Sequence, residues 1–270
     1  MSQNDQMLEK MIQYTHPDKL LGYLPGMPGA LPALFGLDPA RYGEITERLA
    51  RRARQAAMEL LSDDAFAAKV DALPFRPGQS VLAVGDSLTD DLQSWAEILR
   101  NLLDLRERDV EVINKGATGH TSAMILRNWP SVLARRPDWI ICGLGGNDVV
   151  RIGPEPAKTL VSLAESVANL TEMRRIAVAL TDASWVWITP PPVLEQRVAA
   201  FAPFRQGGFS WRNADVHALA EAVTAFDEPV LDLRAVLSTE NHYGPDGVHP
   251  TLDGQQAIAR ALVDRLTVKP

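Results

Sequence analysis

Five short apolar runs rich in β-branched residues, each followed by a longer amphipathic stretch, constrain this chain more than any other feature. The runs occupy residues 80–85 (SVLAVG), 110–114 (VEVIN), 139–145 (WIICGLG), 185–190 (WVWITP) and 229–233 (PVLDL). Helical periodicity fills the intervals at 91–105, 122–135, 156–173, 213–226 and 252–266. Such alternation is the pattern of β-α units around a parallel sheet, so the expected class is α/β, a three-layer α/β/α sandwich. With 270 residues, 46% of them hydrophobic, the chain can bury a core of that size. Ligands of open parallel sheets sit beyond the carboxyl ends of the strands, so polar residues directly after each run are where chemistry is expected.

The first 77 residues stand apart from this pattern, and the expected division is an N-terminal helical extension at 1–77 and a main domain at 78–270. Within the extension, residues 39–72 read as helix, with Ile45, Leu49, Ala53, Ala57 and Leu60 at helical spacing. Residues 20–37 carry no charge but include Pro25, Pro28 and Pro32, which break a continuous apolar helix. They read as an apolar Pro/Gly-rich loop that packs on the body of the protein, covers an apolar site or forms a subunit contact. A linker at 74–79 follows, marked by Pro74, Pro77 and Gly78.

A net charge of −7 argues against a nucleic-acid partner, because binding a phosphate backbone needs a positive face. The lone Cys142 lies within an apolar run and reads as a buried structural thiol. One cysteine suits a reducing compartment, and the N-terminal residues lack the apolar stretch of a secretory signal, so the expected location is cytoplasmic, with no membrane span. A homo-oligomer stays open.

Three strand ends carry candidate chemistry. The first is Gly85-Asp86-Ser87-Leu88-Thr89, which places Ser87 on a tight strand-to-helix turn where a helix N-terminus favours developing negative charge; a helix-capping role is the plainer alternative. The second and third strands lead into Asn114-Lys115-Gly116-Ala117-Thr118-Gly119 and Gly145-Gly146-Asn147-Asp148. Glycine there lets backbone N–H groups approach a ligand, and the Asn147 amide can donate to an oxyanion, although either segment also reads as an ordinary loop. Near the end, Asp246-Gly247-Val248-His249-Pro250 puts a carboxylate and an imidazole on one short turn, a spacing that suits a histidine held by an acceptor at Nδ1 while Nε2 faces a serine. No His/Cys/Asp cluster has metal-ligand spacing.

Taken together and in this order, these pieces resemble the SGNH, or GDSL, hydrolase family, through Ser87, Gly116, Asn147 and His249. The resemblance runs from about residue 80 to the end. It implies a flavodoxin-like five-stranded parallel sheet, a Ser87-His249-Asp246 mechanism through an acyl-enzyme, and no cofactor or metal. It also implies an oxyanion hole from the Ser87 and Gly116 N–H groups with the Asn147 side chain. The expected function is a carboxylic-ester hydrolase acting on small or lipid-like esters. An acyltransferase or carbohydrate deacetylase would use the same residues, and a non-catalytic binding protein is the remaining alternative. His120, Phe204 and Trp211 are substrate-contact candidates: His120 follows Gly119 directly, and the two aromatics lie in a connection on the active-site side of the sheet. His16 and His217 read as surface residues, and Asp148 as a brace for the Asn147 loop.

Overall fold

The computed structural model describes residues 3–267. Helices Gln3–Tyr14, Pro17–Leu21, Met27–Leu34, Pro39–Leu61 and Asp64–Asp71 precede the first strand. The strands are β1 (Gln79–Gly85), β2 (Val110–Gly116), β3 (Trp139–Gly143), β4 (Arg151–Ile152), β5 (Ser184–Ile188), β6 (Phe209–Ser210) and β7 (Val230–Leu231). Five of them form one parallel sheet in the order β2-β1-β3-β5-β7, while β4 and β6 pair as a small antiparallel ribbon. Counting only the large sheet, the order is 2-1-3-4-5, the flavodoxin-like arrangement, whose switch point lies between β1 and β3.

Period-two alternation along the strands divides the interior into two cores. Val81 and Ala83 of β1, with Ile141, Val186 and Ile188, face one core; Leu82 and Val84, with Ile140, Cys142, Trp185 and Trp187, face the other. Helices Pro39–Leu61, Trp95–Leu105 and Leu252–Thr267 cover the first core; Ser122–Val132, Leu163–Leu180 and Asn213–Thr224 cover the second. The three-layer α/β/α sandwich expected from the alternation is therefore present. Ile45, Leu49, Ala53, Ala57 and Leu60 are buried as their spacing required, and Ala53, Ala57 and Leu60 share a core with the sheet. No helix among the described residues is long and apolar enough to cross a membrane.

Three local expectations change. Residues 20–37 are not one loop: Pro17–Leu21 and Met27–Leu34 are short helices, the second holding Pro32 within it. Leu20, Tyr23, Leu24 and Leu34 remain exposed there. The helix expected at 156–173 is Leu163–Leu180, because Ser162 caps it by accepting from Glu165 N. Likewise Trp95–Leu105 starts at a Ser94 cap that accepts from Glu97 N, after a separate one-turn helix Ser87–Asp90.

Candidate active site

β1 delivers Ser87 to the switch point. The Asp86 side chain caps the one-turn helix by accepting from Leu88 N at 3.1 Å, and Ser87 takes the first helical position, where its N–H has no intrahelical partner. Burial pushes the Asp86 carboxyl up to about 6, although the Leu88 N–H and the nearby His249 oppose the rise.

The turn before helix Leu252–Thr267 supplies the partners. Asp246 Oδ1 accepts from the backbone N–H groups of Val248 and His249, both at 2.9 Å, which folds the carboxylate back onto its own turn. Its other oxygen lies 3.0 Å from His249 Nδ1, and His249 Nε2 lies 3.0 Å from Ser87 Oγ. With Nδ1–H donated to Asp246, Nε2 is left to accept from the serine hydroxyl. Burial alone would raise the Asp246 pKa; the hydrogen bond and charge of His249 and the two backbone donors carry it instead down to about 2.

β3 leads to the Asn147 loop. Asp148, fully buried, accepts from Ser122 N at 2.8 Å, from Ser122 Oγ and from Ser166 Oγ at 2.9 Å, tying the loop to helices on the second core face. It is the brace the sequence suggested. The Asn147 amide donates to His120 O at 3.1 Å, leaving its second N–H free to point elsewhere.

Gly116 does not join this group. It pairs with Gly85 as the last residue of β2, its N–H donates to Asn114 Oδ1 at 2.9 Å, and a Cβ there would stand 2.3 Å from Asp90 N. Its place is a close contact between β2 and the Ser87 helix. The glycine that lines the cavity beside Ser87 and Asn147 is Gly119, at φ +77° on the turn after Thr118. His120 does not line the cavity either; its ring Nδ1 lies 3.3 Å from Thr118 O, and its backbone carbonyl is what meets Asn147.

The cavity has a volume of about 270 Å³. Ser87, Gly119, Asn147 and His249 form its polar end, and Val150, Leu160, Phe204, Phe209, Trp211 and Val248 its apolar wall. Phe204 and Trp211 thus stand where the sequence put them, while Val150, Leu160 and Val248 were not singled out. The wall is pinned by the β4–β6 ribbon, by the Trp211 indole donating to Gly146 O at 3.0 Å, and by Arg151 clamping Asp215 at 2.7 and 3.0 Å.

Residues 83–257 match the GDSL-like Lipase/Acylhydrolase family. The chain belongs to that family. This GDSL-like acylhydrolase is 29% identical over 189 residues to esterase TesA of Pseudomonas aeruginosa, covering 67% of this chain and 84% of TesA. It is 24% identical over 195 residues to thioesterase 1/protease 1/lysophospholipase L1 of Escherichia coli, covering 69% and 83%. A crystal structure of TesA superposes with a TM-score of 0.52 at 25% identity, over 70% of this chain and 98% of the other. An acetylxylan esterase from Geobacillus stearothermophilus shares the fold, with a TM-score of 0.54 at 20% identity over 72% and 97%. Family membership makes the protein an acyl-ester hydrolase in class, and the matched stretch leaves the first 82 residues of the GDSL-like chain outside it.

Two other sites of the acylhydrolase differ from expectation or confirm it. His16 is not a surface residue: its side chain is 6% exposed and lies 2.8 Å from Asp90. Cys142 is buried, and burial pushes its thiol far up, so it is an inert core residue.

Proposed function

We propose that this protein is a serine esterase that hydrolyses carboxylic acyl esters through a Ser87-His249-Asp246 triad and an acyl-enzyme. The observation that carries the reading is the unbroken hydrogen-bond chain from Asp246 through His249 to Ser87 Oγ at the mouth of an apolar-walled cavity. His249 Nε2 takes the Ser87 proton as Oγ attacks the ester carbonyl, and Asp246 stabilises the imidazolium. The tetrahedral oxyanion accepts from the Ser87 N–H, the Asn147 amide and the Gly119 N–H, which makes no hydrogen bond among the described residues. Collapse expels the alkoxide, which takes the proton from His249; a water then repeats the sequence on the acyl-enzyme and releases the acid.

Gly119 therefore replaces Gly116 in the oxyanion role. The apolar wall favours an acyl chain over an acetyl group, and the thioesterase named among the relatives makes acyl thioesters a second substrate to assay beside oxygen esters. The lone buried thiol suits a reducing, cytoplasmic setting. The test is a panel of p-nitrophenyl esters of graded length on wild type and Ser87→Ala, with fluorophosphonate labelling. Expected are a covalent adduct on Ser87 and a fall in turnover of at least ~10³-fold in the variant. Retained turnover in Ser87→Ala overturns the reading.

A further inference from the structure

The N-terminal segment, although outside the stretch matched by the family, reaches the reacting residues directly. Helix Gln3–Tyr14 ends with the Tyr14 ring against the His249 imidazole, centroids 4.7 Å apart and planes tilted by 46°. Tyr14 is buried, with the Asp91 carboxylate beside its hydroxyl. Gln13 holds the same carboxylate, donating from Nε2 to Asp91 Oδ1 at 2.8 Å, and its carbonyl accepts from Leu92 N at 3.2 Å. A few residues on, His16 Nδ1 lies 2.8 Å and Lys19 Nζ 2.5 Å from Asp90 Oδ1. Asp90 in turn uses Oδ2 to accept from Thr118 N at 3.0 Å and Thr118 Oγ1 at 2.9 Å, immediately before Gly119.

These contacts bear on the angle of the His249 ring. The His249 ring is tethered at Cβ and by hydrogen bonds at Nδ1 and Nε2, but hydrogen bonds tolerate bending, so the ring can still tilt through its χ1 and χ2 torsions. A buried ring packed against the imidazole at 4.7 Å restricts that tilt. Asp90 and Asp91 lie on the turn that begins with Ser87, so the same segment also ties the nucleophile's turn to the Gly119 turn.

We infer that Tyr14 is a positioning residue for His249, and that Gln13–Lys19 is a strap that locks the Ser87 and Gly119 turns together through Asp90 and Asp91. The inference rests on the triad reading above. The imidazole has two jobs, taking the proton from Ser87 and delivering it to the leaving oxygen, and both depend on its angle. Small misplacements of a reacting group cost up to ~100-fold in rate without weakening substrate binding.

The experiment compares full-length wild type, Tyr14→Phe and Tyr14→Ala for kcat, KM, rate of Ser87 labelling by a fluorophosphonate, and Tm. Expected are a ~10- to 100-fold fall in kcat and in labelling rate for Tyr14→Ala, with KM near wild type. Tyr14→Phe, which keeps the ring face, recovers most of the loss. Should Tyr14→Ala not fold, Tyr14→Leu, which keeps the bulk and drops the aromatic face, is judged by the same readouts. Wild-type kcat in the ring-less variant overturns the inference, as does a Phe variant as slow as the Ala one, or a loss that only tracks the unfolded fraction. Absence of Ser87 labelling in folded wild type overturns the triad reading instead, so the two failures are distinct.

Discussion

Asp91 offers a measurement of how much strain the site carries. Its carboxylate is buried; Oδ1 accepts from Gln13 Nε2 at 2.8 Å and Gln93 N at 2.7 Å, and the Tyr14 hydroxyl lies beside the carboxylate. Burial, outweighing those donors, pushes its pKa from 3.8 up to about 6. A carboxyl with a raised folded-state pKa holds its proton more tightly in the folded chain, so stability falls as pH rises from 3.8 to about 6, and the full penalty applies above that. At ~1.4 kcal/mol per pH unit the interval amounts to about 3 kcal/mol, of which about 2 kcal/mol develops between about pH 4.5 and 7.5. Asp86 has the same raised value and contributes a parallel slope, whereas Asp246, lowered to about 2, stabilises above 3.8 and loses that only as pH falls toward 2. Subtracting Asp91→Asn from wild type cancels both. Urea unfolding of the two proteins at the two pH values should therefore show the variant gaining about 2 kcal/mol relative to wild type on going to the higher pH. A difference that does not change with pH would refute the reasoning, because Asp91 would then be titrating like an exposed carboxylate.

If the proposed mechanism holds, Asn147→Ala removes one oxyanion donor and should cut turnover by ~100- to 1,000-fold while the fold, followed by circular dichroism, is kept. Gly116→Ala should destabilise by ~3 kcal/mol in denaturant titration, because the new Cβ meets the backbone of Thr89 and Asp90. Gly119→Ala meets open space but holds a positive φ, so its cost is ~1–2 kcal/mol; a Gly116→Ala protein as stable as wild type would return Gly116 to the list of candidates. Phe204→Ala and Trp211→Ala should shift preference toward other chain lengths in an ester panel more than they lower turnover on acetate; equal effects on all esters would remove these side chains from the acyl wall.

The sheet was legible because alternating runs are written locally, and so were Ser87, Asn147, Asp246 and His249, which sit directly after strands or on one turn. The proposed change from Gly116 to Gly119 has a specific reason. β2 runs to Gly116, two residues beyond the expected end, so Gly116 is spent on the ladder with Gly85 and the turn that faces the cavity begins later. The late start of helix Leu163–Leu180 is written in Ser162, whose side chain accepts from Glu165 N, a local capping signal that helical periodicity over 156–173 does not register. Tyr14 and His16 carried no local signal at all. Their meaning comes from His249 and Asp90, far along the chain, and only the tertiary fold brings these pairs together.

Val150 and Val248 belong to the same loops as Asn147 and His249, but the rest of the apolar wall has a different origin from the polar end it serves. Ser87 and Asn147 follow strands of the large sheet, whereas Leu160, Phe204, Phe209 and Trp211 hang on two excursions stitched to each other by the β4–β6 ribbon. The second excursion also holds the Asp246–His249 turn, because Leu194 N donates to Gly247 O at 2.8 Å and the Arg197 guanidinium donates to Tyr243 O at 3.1 Å. Exchanging only the wall side chains, with Leu194, Arg197 and the Arg151–Asp215 clamp kept, would redraw which acyl groups fit while the reacting atoms keep their places.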